Sequence, residues 1–283
     1  MEKTSAAPKD VTAYPLEFLV PRSYASLLGR KILSFSRTIR GLVAFALITL
    51  AVTLTKFNHA ARVIHPLLRA QIQRSGVGLL PIVGLFALAL GFIVIGQTVA
   101  LLTQFGAQNL TGVIMVAVIV REVGPMATAL LVLAKIGTAT VIELGTARAL
   151  GEIEALEALG IDPVHYLVMP RVLGQALSIF ALTVYLIVFA LASGYLFAFL
   201  QDVPISPRVY VHQLAAALGW GDFLLLFLKT ISFGAIIAVV TCYEGLARPI
   251  RLDGVATATT RAVVYSLGLC VFVDAVFMFY LLV

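Results

Sequence analysis

The sequence predicts an all-α integral membrane protein, with N-terminal interfacial and re-entrant helices followed by five transmembrane helices. Three observations carry that expectation. Hydrophobic residues make up 61% of the 283-residue chain and charged residues only 12%, and the mean hydropathy is +1.04. Not one Asp, Glu, Lys or Arg occurs from Ser75 to Val120. The basic residues gather in a few segments instead of being spread along the chain. A soluble fold carries about twice this share of charge. The composition therefore excludes a water-soluble enzyme, a disordered tail and a nucleic-acid module. The net charge of +6 reads as a topology signal, because basic residues beside spans set orientation. Cys242 and Cys270 both sit in apolar runs, so no disulfide framework is expected.

Residues 1–15 are polar, with Pro8 and Pro15, and read as a disordered leader without the apolar region of a signal peptide. From Leu16 to Arg40, Arg22, Arg30, Lys31 and Arg37 alternate with Leu27, Leu28, Ile32 and Leu33. That mix suits an amphipathic helix on an anionic leaflet better than an ordinary solvated helix. Gly41 to Thr55 is apolar but only about 22 Å long as a helix, against a hydrocarbon core of about 30 Å. It reads as re-entrant or interfacial, and 56–74 as a further basic amphipathic piece. Residues 16–78 thus form the interfacial region and 79–283 the membrane domain. Spans are expected at about 79–103, 110–135, 170–200, 223–245 and 258–282, the first two joined by a turn at Gln104–Asn109.

Residues 1–78 hold eleven Lys and Arg, the 104–109 turn none and the 201–221 loop only Arg208. The positive-inside rule then places the N-terminus, the 136–165 segment and the 246–257 loop in the cytoplasm.

The segment ELGTARALGEIEALEALGIDP, residues 143–163, interleaves Glu152, Glu154 and Glu157 with Ile153, Leu156 and Leu159. A recurrence of three predicts a short acidic helix with one apolar face. Gly160 supplies a stop, and Asp162-Pro163 a cap and first residue for the next helix. Such a helix either docks in a groove of a soluble partner or simply connects two spans; periodicity leaves both open.

Arg121 and Glu122 lie inside an apolar run, where a charge costs about 2.5–3.5 kcal/mol unless it meets a partner or a cavity. Adjacent helix positions point about 100° apart, so one can face a cavity while the other pairs within the subunit. Gly124-Pro125 should kink or open the helix there, and carbonyls freed at a kink would help line a polar pocket. Glu122 either shapes a lipid head-group site or belongs, with Arg121, to structural ion pairs with Lys229, Lys135 or Asp274. Lys229 is expected on the outer side of its span, attracting a phosphate or snorkelling to the surface. Gly91 and Gly96 suit close helix packing. Phe92, Ile95 and Val99 either line an acyl-chain cavity or face lipid.

These residues also resemble a known family. Residues 121–174 are similar to the signature of the MlaE/YrbE permeases of MCE-type lipid ABC transporters. The matching elements are Arg121-Glu122-x-Gly124-Pro125, Gly137-Thr-Ala139, Glu143-Leu-Gly145, Glu152-x-x-x-Leu156-Glu157, Gly160-x-Asp162-Pro163 and Pro170-Arg171. Lys229 in LKTISFG and Ala258-Thr-Thr-Arg261 extend the match, which covers roughly residues 60–282. One position departs: Lys135 stands where the family pattern has Arg, keeping charge but losing a bidentate guanidinium. The chain before about residue 30 is longer than the family pattern.

The resemblance implies an ABC-exporter-like homodimer in a bacterial inner membrane. It implies a cytoplasmic ABC ATPase gripping a coupling helix at 148–160, a STAS-domain protein beside it, and a periplasmic ring of MCE-domain proteins. Phospholipid would pass between membrane and ring. Arg121, Glu122, Gly124, Pro125, Lys229 and Phe92 would belong to the lipid pathway. Glu143, Glu152, Glu154, Leu156, Glu157, Gly160, Asp162 and Pro163 would serve ATPase coupling.

No G-x-x-x-x-G-K-[ST] motif occurs, so hydrolysis is expected in a separate chain. His59, His65, His165 and His212 lack metal-ligand spacing, no Gly-x-Ser-x-Gly elbow is present, and no cofactor or catalytic residue is expected. The rival reading is an ion-coupled secondary carrier with Glu122, Lys229 and Asp274 as a proton relay. Such carriers usually carry internal repeats, and no clear repeat is visible.

Overall fold

The computed structural model describes residues 38–53, 55, 61–107, 110–200, 206–246 and 252–282. The expected leader, the interfacial stretch up to residue 37, the 108–109 turn tip, and residues 201–205 and 247–251 lie outside the described residues. Every described element is helical. Five runs are long and apolar enough to cross a membrane: His65–Gln104, Thr111–Ala149, Val164–Leu200, Trp220–Leu246 and Leu252–Tyr280. The chain is a multi-pass, all-α membrane protein. Residues 1–44 and 45–283 form separate compact units, and the core and site lie in the second.

Helix α1, Thr38–Thr53, is roughly 24 Å long at about 1.5 Å per residue, short of a full crossing. Thr49 and Thr53 donate their hydroxyls to Phe45 O and Thr49 O at 2.8 and 2.7 Å, so no hydroxyl is left unpaired on an apolar helix. The Phe45 ring meets Tyr243 edge-on at 5.8 Å.

The first crossing starts earlier than hydropathy suggests. Helix α2, Ala61–Ser75, leads through a tight turn at Val77–Leu79 into α3, Leu80–Leu90. A wide π turn, Gly91–Ile95, continues into α4, Gly96–Gln104. Arg69 and Arg74 end a hydropathy window, but they are good helix formers and do not interrupt the backbone ladder. The same holds for the second crossing, expected to end near 135. It runs α5 (Thr111–Met115), a π segment (Val116–Val123), α6 (Gly124–Val132), a second π turn (Leu133–Gly137) and α7 (Thr138–Ala149). After α8, Glu152–Ala158, come a π turn at Val164–Val168 and α9, Met169–Leu200. Then follow α10 (Pro207–Ala217), α11 (Trp220–Leu246) and α12 (Val255–Leu282).

Helix α9 is the hub, packing on α2, α3, α6 and α11. Ile179, Leu182 and Leu186 meet Leu79, Val83, Ile95, Ile119 and Phe233 in one core. Ile95 and Val99 are 1% exposed, so they pack this core and line neither a cavity nor lipid. The reason is the seam they share with α9. A Cβ on Gly91 would collide with Ser193 Oγ and the Ala190 carbonyl, and one on Gly194 with the Ile95 side chain. Backbones that close leave no room for a bulkier residue. Gly91→Val is therefore expected to destabilise the fold by at least about 1–3 kcal/mol. Gly221→Ala, where the added methyl meets nothing within 4 Å, is the matched control. Thermal unfolding of both variants in one detergent checks the contrast.

Candidate functional site

The site begins with a backbone defect. Pro125 has no N–H, so in an α-helix the carbonyl four residues earlier, that of Arg121, would lose its donor. Of the two expected outcomes, a kink or an opening, the helix opens: the eight residues Val116–Val123 widen into a π-helix, and Gly124 donates five residues back to Ile119 O before α6 resumes. π segments of this kind accompany functional positions. The Arg121 carbonyl is not left open to a pocket: Lys229 Nζ donates to it at 2.7 Å.

Lys229 is 4% exposed. Besides Arg121 O, its ammonium lies 3.1 Å from Glu122 Oε2 and 2.6 Å from Asp274 Oδ1. An ammonium has three N–H donors, and the π segment Val116–Val123 and α12 present this α11 lysine with three oxygens. The snorkelling expectation for Lys229 is thus corrected, and the alternative of a structural ion pair between Glu122 and Lys229 is the one present. Burial is tolerable because the ammonium donates to Arg121 O and Glu122 Oε2 and is ion-paired with Asp274.

Arg121 pairs with a residue the sequence reading passed over. Its Nε and Nη2 meet Asp222 Oδ1 and Oδ2 at 2.7 and 3.3 Å. Asp222 also accepts the Gly219 N–H at 3.0 Å, which fixes it in the first turn of α11, where the helix dipole favours an anion. The span, expected at about 223–245, starts three residues earlier, at Trp220. An acid in the first turn beside Trp220-Gly221 was the signal available. Arg121 and Glu122 pair within the chain with different partners, as their 100° offset requires. Lys135 joins neither pair. It is exposed, with its Nζ 3.4 Å from Gly78 O.

Two spaces adjoin the cluster. A small one is lined by Arg121, Glu122, Asp222, Lys229 and Phe277 among others. A larger groove of about 670 Å³ has Glu122 and Asp274 at one end and Phe86, Met126, Leu130, Leu131 and Ala134 along its wall. From residue 122 to residue 134 is roughly 18 Å of helix. The groove therefore has a charged end and an apolar length. Glu122 and Arg121 keep 28% and 33% of their side-chain surface exposed, so both can meet a ligand. Gly124 and Pro125 are buried behind them. Phe92 stands apart, its ring edge-on to Phe197 at 5.3 Å. It is Phe86 that shares the groove with Glu122.

The second element is the connection between α7 and α9. Helix α8 covers Glu152–Ala158, shorter than the 148–160 expected. Arg148 still belongs to α7, and Gly151 breaks the chain with φ +79°. Gly160, at φ +75°, closes α8 with Ile161 N–H to Leu156 O at 3.0 Å and Gly160 N–H to Glu157 O at 2.9 Å, the Schellman pattern. Asp162 Oδ1 then accepts the Val164 N–H at 3.0 Å, with Pro163 between them. The apolar face expected of this helix is split. Ile153 is 2% exposed and packs with Leu144, Val168, Cys242 and Leu246, whereas Leu159 is 75% exposed. Leu156 is half-buried, and Glu152, Glu154 and Glu157 are exposed. Glu143 lies outside α8. Its two oxygens bridge Arg74 Nη1 and Arg171 Nη2 at 2.7 and 2.6 Å, tying α2, α7 and α9 together.

The sequence is similar to those of known proteins. The family model described as Permease MlaE matches residues 68–280. A probable ABC transporter permease protein of Rickettsia typhi is 26% identical over 242 residues, 86% of this chain and 91% of the relative. One from Synechocystis is 30% identical over 195 residues, 68% and 73% of the two chains. The chloroplastic protein TRIGALACTOSYLDIACYLGLYCEROL 1 of Arabidopsis thaliana is 32% identical over 199 residues, 70% of this chain and 56% of the relative.

Proposed function

We propose, from the premise that the chain belongs to the MlaE permease family, that this ABC permease subunit moves phospholipid and that hydrolysis is done by a separate cytoplasmic ATPase. The observation that carries the lipid reading is the groove with a charged end and an apolar wall. Glu122, which with Asp274 forms the charged end of that groove, suits the ammonium of a zwitterionic head group, and Arg121, partly exposed in the adjoining small pocket, suits its phosphate. Phe86, Met126, Leu130 and Leu131 suit its acyl chain. The Arabidopsis relative carries a galactolipid's name, which supports a lipid cargo. Charges are costly at membrane depth, so the exposure of Glu122 into the groove reads as a pathway.

In this reading the protein works as a homodimer in a bacterial inner membrane, with its N-terminus in the cytoplasm. Helix α12, whose Phe272, Val276 and Phe279 are exposed, offers apolar surface for lipid or the second copy. The ATPase grips α8 through Glu152, Glu154, Leu156 and Glu157, while Gly160, Asp162 and Pro163 fix the exit from that helix. A STAS-domain protein sits beside the ATPase, and a ring of MCE-domain proteins receives lipid on the periplasmic side.

A photo-crosslinking amino acid at Met126 or Leu130 tests the pathway. Phospholipid adducts are expected there and not at Trp220, which is 91% exposed and is not among the residues lining the groove. Equal labelling at all three positions would show annular lipid only. A second reading stays in play because Glu122, Lys229 and Asp274 do touch: an ion-coupled carrier. Transport by reconstituted protein that continues without nucleotide and stops when the proton gradient is collapsed would establish it.

A further inference from the structure

We infer that Arg148 is the positioning residue that ties α8 to α11, and through α11 to the buried ammonium at the groove. The inference rests on the ATPase-docking reading of α8 given above. Arg148 is the penultimate residue of α7. Its Nη1 donates to the carbonyl of Leu246, the last residue of α11. Its Nη2 lies 3.6 Å from Glu154 Oε1 on α8. The last carbonyls of a helix have no partner within it, and a guanidinium with donors in a fixed fork can hold one of them and a carboxylate together. Lysine, with a single point charge, cannot reproduce that fork.

The contacts around this fork make α8 and the end of α11 one block. Ile153 of α8 is packed against Cys242 and Leu246 of α11 and Leu144 of α7. Gly245 lets α11 approach so closely that an added Cβ would lie 2.8 Å from Leu144 Cβ. Helix α11 then runs without interruption from Leu246 back to Trp220, and Lys229 lies on it roughly 25 Å away. Lys229 is the residue that holds Arg121 O, Glu122 and Asp274. A displacement of α8 is passed to α11 through Arg148, and α11 cannot shift without loosening the oxygens around Lys229. Claims of a transmission path need coupling evidence beyond adjacency, and the Arg148 fork is a place where it can be measured.

The test compares Arg148→Gln and Arg148→Lys with the unaltered chain, reconstituted with its ATPase in lipid vesicles. Three quantities are read: ATPase retained on the permease, ATP hydrolysed, and fluorescent phospholipid transferred. For Arg148→Gln we expect ATPase retention and hydrolysis within about twofold of the unaltered chain, and transfer per ATP lowered about tenfold or more; Arg148→Lys falls between. A purely structural role would lower all three together, and unchanged transfer per ATP would equally overturn the inference. If the unaltered chain retains no ATPase, the docking reading fails instead. The link is then judged by hydrogen exchange of the permease alone. Arg148→Gln is expected to raise exchange at 152–158 and at 243–246 together, and an effect on neither or on only one of the two overturns it.

Discussion

Lys229→Met is expected to destabilise the folded protein by about 3–5 kcal/mol, the cost typical of breaking a buried ion cluster by removing one partner. The ammonium is the shared partner of Glu122, Asp274 and the Arg121 carbonyl. Removing it leaves two carboxylates facing each other with no cation between them, and one carbonyl without a donor, inside a membrane segment. A control separates charge from packing. In Lys229→Met combined with Glu122→Gln and Asp274→Asn, no uncompensated charge remains, and much of the lost stability should return although lysine is still absent. The measurement is the thermal midpoint and the monodisperse fraction in detergent for the single and the triple variant. A single variant as stable as the parent would mean that the cluster does not hold α5–α6, α11 and α12 together. A triple variant as unstable as the single would mean that the lysine side chain matters by its bulk.

The second large effect concerns partner binding. Changing Glu154, Leu156 and Glu157 to Ala together is expected to lower ATPase co-purification by about tenfold or more, since a few residues of a docking surface carry most of its energy. The membrane domain should stay folded, with a thermal midpoint moved by less than about 4 °C. The reason is the division of labour within α8. Ile153 is the buried anchor, while the two glutamates are exposed and Leu156 is half-buried. Ile153→Asp should do the reverse damage, placing an unpaired charge in the cluster with Leu144, Val168, Cys242 and Leu246 and unfolding this end of the bundle. Full ATPase retention by the triple variant would remove α8 as the docking element.

Much of this was legible in the residues. The five crossings followed from long apolar runs, because the hydrocarbon core sets a minimum length of apolar helix and that length is read directly along a chain. The stop after α8 was equally local: Gly160 occupies left-handed backbone that favours glycine, whereas the break at Gly151 falls inside the helix expected over 148–160. The family signature at 121–174 added to this without any coordinates, and the family match over 68–280 agrees with it.

The helix ends were less legible. Hydropathy stops at Arg69, Arg74 and Glu143, whereas backbone hydrogen bonding continues through them. Within the bundle, composition separates neither Ile95 from a lipid-facing residue nor Phe86 from Phe92. Chain order alone settles where each crossing lies, because transfer out of water is decided residue by residue. Which charge meets which is decided only in three dimensions: Arg121 with Asp222 and Glu122 with Lys229 lie 101 and 107 residues apart, and Coulomb attraction acts on distance in space, which linear spacing does not encode.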